Sequence, residues 1–264
     1  MESEVPISGG RLNRGRLVRL GDFLLRPADE DPAVEQIMLE VEKVFRGIPK
    51  SFGRDDVGRL KLQWVEGDVI SEIAHEDNDV EKTRLLSVGR LLRELHDSTA
   101  DIAAGIASTS LSLLDPSGVP EVICHGDPGP GNVVFQNGSA VAFIDWELTS
   151  PGRRAWDLAI TLRYWAPFRN RANIKNAELL VDPWQRARWV LEGYSASNEL
   201  RTEVFRLLPI NQRAQAEYVI RRIKARGDSV YQEWVSKGGL RRLDLDAAWL
   251  GAESERLIRD WSPT

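Results

Sequence analysis

The chain has 264 residues, of which 28% are charged and 42% hydrophobic, with 40 acidic and 35 basic side chains and a net charge of −5. The apolar content excludes an intrinsically disordered chain, and the acidic balance argues against a general nucleic-acid binder. A single Cys excludes an internal disulfide framework and is typical of a reducing cytosol. The N-terminus lacks the apolar stretch of a signal peptide, and no run approaches the roughly 18 apolar residues of a membrane helix. We therefore expect a soluble cytoplasmic enzyme with no membrane or nucleic-acid partner, and its oligomeric state stays open.

The first part of the chain is predicted to be rich in strands. Two short strands, Leu17–Leu20 and Phe23–Arg26, flank a Gly21-Asp22 turn, and such a pair between apolar runs is a hairpin signal. A helix is predicted to begin at Pro32. Another strand, over about residues 59–65, is predicted to end at a Glu-Gly pair.

The rest of the chain is predicted to be mainly helical. Apolar residues at helical spacing indicate a long amphipathic helix over about residues 79–98. A short apolar run at 122–124 and a hairpin with an Asn-Gly turn at 137–138 follow. Four or five helices are predicted from Trp156 onward, with breakers at Pro167, Pro183 and Pro209. The pattern predicts an α+β, bilobal fold with a small strand-rich N-terminal lobe over 1–66 and a larger, mainly helical C-terminal lobe over 67–264.

One segment contains the groups that phosphoryl transfer from a nucleotide requires. It runs His125-Gly126-Asp127-Pro128-Gly129-Pro130-Gly131-Asn132 and continues, after the hairpin, with Ile144-Asp145-Trp146-Glu147. A carboxylate such as Asp127 can orient the hydroxyl nucleophile, and oxygen ligands such as Asn132 and Asp145 can hold Mg²⁺ against the phosphates. The tight hairpin would bring both ligands to the same end of adjacent strands. Taken alone, the loop residues are equally well explained as ordinary turn formers.

This segment resembles the aminoglycoside phosphotransferase and choline-kinase-like family, whose H-G-D-x-x-x-x-N and I-D-[WF]-[ED] motifs correspond to the protein-kinase catalytic loop and metal-binding Asp. Leu92-Arg93-Glu94-Leu95-His96 resembles the family's L-x-x-L-H helix end, and Arg154-Ala155-Trp156-Asp157-Leu158-Ala159 resembles its D-L-A motif. The four elements stand in the family's order over roughly residues 91–159. The resemblance implies a protein-kinase-like fold, ATP (with GTP as the alternative), Mg²⁺, and transfer of the γ-phosphoryl group to a small-molecule hydroxyl.

Carried over to this sequence, the resemblance assigns Asp127 as the catalytic base and Asn132 and Asp145 as Mg²⁺ ligands. It gives His125 and Asp157 a structural role, in which they brace the catalytic loop.

The resemblance also implies a nucleotide contact and an acceptor contact. The backbone at Trp64, Val65 and Glu66 would form the hinge that hydrogen-bonds the adenine edge. Trp146 and Glu147 are candidate acceptor contacts, although a core position for Trp146 is equally well supported, and Glu147 could simply face water.

The small lobe departs from the family pattern. Arg26 occupies the place of the strand lysine that contacts the α- and β-phosphates. Arginine keeps the charge and the donors, but the exchange is not conservative. Glu35 is the candidate partner carboxylate, and Ser8-Gly9-Gly10 is a candidate phosphate-covering loop.

Other polar residues are predicted to have structural roles. We expect His96 to be a satisfied histidine at a helix end and Cys124 to behave as a small buried hydrophobe. His75, in an acidic stretch, is expected to be solvated.

The charge pattern does not indicate an acceptor for a polycation. Residues 153–175 carry six basic side chains against Asp157 alone, and residues 201–264 carry 12 Lys and Arg against 9 Asp and Glu. An aminoglycoside is therefore allowed but not indicated, and a neutral or anionic hydroxyl compound is equally well supported.

Two alternatives to a small-molecule kinase stay open. Arg26 and the short glycine loop would also suit a nucleotide-binding pseudokinase or regulatory module. A protein kinase is disfavoured because only eleven residues separate Asp145 from Asp157, which leaves no activation segment.

Overall fold

An antiparallel five-stranded sheet forms the N-terminal part of the computed structural model, which describes residues 3–7, 16–28, 31–70, 73, 78–106, 115–175 and 181–261. The strand order is β1-β2-β3-β5-β4. Its members are β1 (Val5–Pro6), β2 (Val18–Leu20), β3 (Phe23–Arg26), β4 (Ser51–Arg54) and β5 (Leu60–Gln63). The predicted hairpin is confirmed: β2 pairs with β3, and Gly21 takes the left-handed conformation at φ 57° that the turn requires.

One helix accompanies this sheet. Helix α1 (Pro32–Val44) begins at the predicted proline, and the side chain of Asp31 caps it by accepting from the Ala33 N–H at 3.0 Å. Its buried face is the predicted apolar stripe of Val34, Ile37, Met38 and Val41.

In the described chain, two further pairs of short strands follow the sheet in sequence. Strand β6 (Val122–Cys124) pairs with β9 (Ser150–Gly152), and β7 (Val133–Gln136) pairs with β8 (Ser139–Phe143). The β7–β8 turn holds Asn137 at φ 51° and Gly138 at φ 77°, which confirms the predicted Asn-Gly hairpin. The His125–Asn132 segment consequently lies between β6 and β7, and the Ile144–Glu147 segment lies between β8 and β9.

The remaining described elements are helices. They are α2 (Asn78–Ala103), α3 (Arg154–Trp165), α4 (Pro183–Gly193), α5 (Asn198–Arg226), α6 (Ser229–Ser236) and α7 (Gly239–Trp261). Two glycines bring α2 and α4 into backbone contact: a Cβ on Gly89 would lie 2.1 Å from the Val190 carbonyl oxygen, and one on Gly193 would lie 2.1 Å from that of Leu86.

The prediction that Pro209 breaks a helix is wrong. Pro209 lies inside α5 and is buried, between the buried residues Leu208 and Asn211. Because α5 packs against both α3 and α7, tertiary contacts stabilise the helix despite the hydrogen bond that a proline removes. Pro183 starts α4 instead of ending a helix, with Asp182 as its cap.

The segment after β5 joins the sheet to the hairpin. Asp68 and Phe135 exchange backbone hydrogen bonds of 2.9 and 2.8 Å, and the Gln136 side chain donates to the Glu66 carbonyl at 2.8 Å. A Cβ on Gly67 would lie 2.5 Å from the Phe135 carbonyl oxygen, so glycine permits this close approach. The predicted lobe boundary between residues 66 and 67 falls in this segment.

Some predictions fall outside the described residues, namely the Ser8-Gly9-Gly10 loop and His75. Within the described helices, none has the length and apolarity needed to cross a membrane.

Candidate functional site

The loop between β6 and β7 holds Asp127 in a fixed orientation. The side-chain amide of Asn132 donates to both the carbonyl oxygen and Oδ2 of Asp127, each at 2.9 Å. Gly126 has a φ of 82°, and a Cβ there would lie 2.2 Å from the Leu148 carbonyl oxygen. Only glycine fits this turn. Within the described chain the amide oxygen of Asn132 has no protein partner, which leaves it available to a ligand.

Asp157 anchors this loop from α3, as predicted. Its carboxylate is fully buried and accepts from the backbone N–H groups of His125 at 2.8 Å and Gly126 at 3.0 Å. It also contacts His96 Nε2 at 3.1 Å, and His96 Nδ1 lies 2.8 Å from the Tyr194 hydroxyl. Burial alone would raise the pKa of Asp157, but the hydrogen bonds from His96 and His125 hold it below its usual value. His96 is therefore the satisfied helix-end histidine that the sequence predicts.

His125 braces the loop as a neutral imidazole. Its Nδ1 accepts from the Asp127 N–H at 3.2 Å, so Nε2 carries the proton and donates to the Ile144 carbonyl at 3.1 Å. Burial lowers the pKa of His125 to about 4. The adjacent Cys124 is buried, and burial raises the pKa of its thiol, in agreement with the predicted role as a small hydrophobe.

Trp146 belongs to the core. Its indole is 1% exposed, packs edge-on against the His125 ring at 4.7 Å, and donates from Nε1 to the Phe143 carbonyl at 2.9 Å. The predicted core position is thus supported, and because Trp146 also lines the cavity described below, its acceptor contact stays a prediction.

Asp145 lies beside Asn132 in a strained backbone conformation. Its φ is 62°, which is unusual for a residue with a side chain. The backbone N–H of the preceding Ile144 donates to the Asn132 carbonyl at 2.9 Å, which fixes the two candidate ligands next to each other. The described residues contain no cluster of three or more His, Cys, Asp or Glu that could hold a metal. One amide and one carboxylate oxygen fit Mg²⁺, which is bound by few protein ligands and keeps waters or phosphate oxygens.

A cavity of about 270 Å³ opens between the sheet and these two ligands. This volume is close to the lower end of the roughly 300–1,000 Å³ typical of small-molecule sites. Its walls are largely apolar, and its lining includes Leu24, Arg26, Leu62, Trp64, Val65, Asn132, Val134, Ile144 and Asp145.

The predicted hinge residues differ in what they do at this cavity. Trp64 and Val65 line it, and within the described chain neither the N–H nor the carbonyl of Val65 has a protein partner. Glu66 does not line it: the carboxylate pairs with Arg19, and the carbonyl accepts from Gln136.

Arg26 lines the cavity, but its predicted partner is wrong. Its Nη2 donates to Glu147 Oε1 at 2.7 Å, and Nη1 lies 3.6 Å from Asp145 Oδ1. Glu35 instead accepts two hydrogen bonds from Arg54, at 2.7 and 2.8 Å. Because Val34 takes the buried face of α1, the next residue is turned by about 100° toward β4.

Two candidate functional residues on α3, Arg163 and Tyr164, were not predicted from the sequence. A Cβ on Gly129, in the loop that carries Asp127, would lie 3.2 Å from the Tyr164 ring, and the Tyr164 hydroxyl accepts from Arg163 Nη2 at 2.8 Å. Burial raises the pKa of Tyr164, and the neighbouring Asp127 carboxylate raises it further. Tyr164 stands seven residues after Asp157, two helical turns on, so helical spacing alone places both on the face toward the loop.

Comparisons with known proteins agree with this geometry. Residues 104–190 match the model of the Phosphotransferase enzyme family. The trifolitoxin immunity protein of Rhizobium leguminosarum bv. trifolii is 30% identical over 165 residues, which span 60% of each protein. The homoserine kinase of Caulobacter vibrioides is 33% identical over 96 residues, which span 33% of this chain and 30% of that enzyme. The chain thus matches 60% of the length of the first of these relatives and 30% of the second.

Solved structures extend the likeness to nearly the whole chain. The GDP complex of aminoglycoside 2′-phosphotransferase-IIIa has a TM-score of 0.61 at 18% identity and covers 94% of this chain and 93% of that one. A choline/ethanolamine kinase family protein from Mesorhizobium loti has a TM-score of 0.62 at 16% identity, covering 97% and 91%. The predicted resemblance is confirmed: this chain has the protein-kinase-like fold of the aminoglycoside phosphotransferases and choline/ethanolamine kinases.

Proposed function

We propose that this protein is a Mg²⁺-dependent kinase that transfers the γ-phosphoryl group of ATP to a hydroxyl of a small molecule. The observation that carries the proposal is the fixed carboxylate of Asp127, which is held by Asn132, a residue that lines a cavity together with Asp145 and Arg26. GTP is the alternative nucleotide, since the apolar walls and the Val65 backbone do not distinguish the two bases.

Asp127 is the catalytic base in this proposal. Its carboxylate accepts the proton of the acceptor hydroxyl while the hydroxyl oxygen forms a bond to the γ-phosphorus and the bond from that phosphorus to the ADP oxygen breaks. Asn132 keeps the carboxylate oriented through its amide nitrogen, so its amide oxygen stays free for a second role.

Asn132 and Asp145 would hold Mg²⁺, which when bound neutralises phosphate charge. The Arg26 guanidinium, 6% exposed at the cavity wall, supplies a fixed positive charge for the phosphates. Glu147 orients that guanidinium. In protein kinases, a helix glutamate orients the strand lysine in the same way. Val65 is the hinge residue that can offer both an N–H and a carbonyl to the base.

The relatives support a small-molecule acceptor. Homoserine kinase is among the sequence relatives, and aminoglycoside and ethanolamine kinases are among the structural neighbours. Their acceptors differ in charge but share a hydroxyl group, the group from which Asp127 would accept a proton.

The test is release of ADP or GDP with Mg²⁺ over a mixed panel of hydroxyl acceptors. Aminoglycosides, choline-like amino alcohols, sugars, nucleosides and hydroxy amino acids cover the charge classes. The proposal predicts release that depends on one acceptor class. Tight nucleotide binding with no release in any class would instead favour the pseudokinase alternative, which Arg26 in place of lysine also suits.

A further inference from the structure

Arg163 is a buried arginine that is hydrogen-bonded to Tyr164, whose ring faces the loop of the proposed base. Its residue is 8% exposed, and its printed hydrogen bonds go to two neutral groups: Nη1 to Gln215 Oε1 at 2.9 Å and Nη2 to the Tyr164 hydroxyl at 2.8 Å. Within the described chain no carboxylate lies within 4 Å of its guanidinium, and its buried Nε has no partner. A buried guanidinium is always charged, and a buried charge is costly unless an opposite charge compensates it.

Two other carboxylates, Glu147 and Asp228, are paired with other arginines. Glu147 pairs with Arg26 at 2.7 Å, and Asp228, at the start of α6, accepts from Arg222 Nε at 2.7 Å. Both are held by these pairs, and neither forms an ion pair with Arg163.

Helices α5 and α6 contribute two tyrosines that are hydrogen-bonded to each other. The Tyr231 hydroxyl on α6 donates to the Tyr218 hydroxyl on α5 at 3.3 Å. Burial raises the pKa of Tyr231, and the nearby carboxylates of Asp127 and Glu147 raise it further. The groups described on α3, α5 and α6 are thus hydroxyls and guanidinium groups, which can donate hydrogen bonds to an anion.

We propose that the acceptor is a hydroxy acid and that Arg163 binds its carboxylate while Asp127 binds its hydroxyl. This inference rests on the proposed kinase function and names its acceptor class. Arg163 reaches Asp127 through one intervening group, Tyr164, so the acceptor carries its carboxylate within a few bonds of the hydroxyl. A carboxylate receives two parallel hydrogen bonds from a guanidinium, which fixes the hydroxyl as well as supplying affinity.

The experiment compares acceptors that differ only in the anionic group. Three pairs are L-homoserine with 2-aminobutane-1,4-diol, glycerate with glycerol, and gluconate with glucitol, with gentamicin and choline as cationic acceptors. Wild type is expected to prefer the carboxylate member of at least one pair by about tenfold or more in kcat/KM, which corresponds to one charged contact of about 1.4 kcal/mol.

Variants separate binding of the acceptor from support of the loop. Arg163→Gln is expected to raise KM for the carboxylate member about tenfold or more and to leave the neutral member within about threefold. Arg163→Lys should keep part of the preference, because the charge remains but the fork is lost. Arg171→Gln is the control, because it removes the same charge from an exposed arginine. A purely structural Arg163 would lower kcat for both members of a pair alike, and that result overturns the inference.

Binding without turnover distinguishes the two proposals. Calorimetric titration with L-2-aminobutyrate, which has the carboxylate of homoserine but no hydroxyl, tests the anion site directly. Turnover of gentamicin, choline or a neutral acceptor with no carboxylate preference overturns the hydroxy-acid inference and leaves the kinase proposal in place. Carboxylate binding that Arg163→Gln abolishes, without turnover of any acceptor, contradicts the kinase proposal and keeps the anion site. Absence of both binding and turnover contradicts both proposals.

Discussion

The Asp157 carboxylate is predicted to be the structural support on which the catalytic loop depends, and Asp157→Asn tests this. The carboxylate accepts from His125 N–H and His96 Nε2 on one oxygen and from Gly126 N–H on the other. An asparagine has one acceptor oxygen, so its amide nitrogen must face one of these N–H groups. The substitution thereby removes at least one charged hydrogen bond and places two buried donors against each other.

The expected loss follows from those contacts. A hydrogen bond to a charged group contributes about 1.5–3 kcal/mol, and an unsatisfied buried donor adds to the loss, so Asp157→Asn should lower the free energy of unfolding by about 2–4 kcal/mol. A domain with about 5–15 kcal/mol of stability survives this, so activity remains measurable. Because displacing a reacting group by about 1 Å can lower the rate roughly a hundredfold, we expect kcat to fall about 10- to 100-fold.

Denaturant unfolding and acceptor-dependent ADP release measure the two effects. Asp246→Asn is the matched control, since Asp246 is a buried carboxylate on α7 that accepts from the Asn170 N–H and the Asn173 amide, each at 2.8 Å. It should lose stability without a comparable loss of kcat. Two results would contradict the bracing role of Asp157. One is a change in the free energy of unfolding below about 0.5 kcal/mol, the range of ordinary surface substitutions. The other is a loss of kcat in Asp246→Asn as large as that in Asp157→Asn.

Three further predictions concern the cavity, the helix contact and the response to pH. Glu147→Gln should raise the KM for ATP about tenfold in steady-state assays, because Arg26 loses its charged partner at 2.7 Å. An unchanged KM would mean that Glu147 does not orient Arg26. Gly89→Ala should destabilise the fold by about 1–3 kcal/mol in thermal unfolding because its methyl group would meet the Val190 carbonyl oxygen, and unaltered stability would contradict the close contact. The pKa of His125 is about 4 in the folded state against about 6.5 in the unfolded state, so the unfolded state binds more protons between these pH values. The free energy of unfolding should therefore fall by about 3 kcal/mol as the pH drops from 6.5 to 4. His125→Asn should remove that part of the pH dependence, and identical stability profiles for wild type and variant would argue against a buried neutral imidazole.

Sequence patterns predicted the local structure around the site because that structure depends on local chemistry. The Asn-Gly turn requires left-handed backbone, which Asn137 and Gly138 provide, so the hairpin that brings the two candidate ligands together could be predicted. The same holds for α1, which begins at a proline behind an Asp cap. Asp157 could be assigned its bracing role through the family motif.

The partner of Arg26 could not be predicted because it depends on tertiary packing. Glu147 lies 121 residues from Arg26 in sequence, and no local periodicity links a strand to a loop at that distance. Pro209 was misjudged for a similar reason, since contacts with α3 and α7 stabilise α5 around it. Arg163 was visible in the sequence only as one of six basic residues, because burial and the neutrality of its partners appear only in the folded chain.

The central claim is that Asp127 acts on the acceptor hydroxyl and not on the nucleotide. Asp127→Asn keeps an oxygen that can accept from the Asn132 amide, so the loop should stay in place. Measuring MgATP affinity and acceptor-dependent turnover on the same preparation tests the claim directly. We predict that turnover falls by about 10²–10⁴-fold, the contribution of a general base, while MgATP affinity changes less than about threefold. Retained turnover, or an equal loss of turnover and nucleotide affinity, would contradict it.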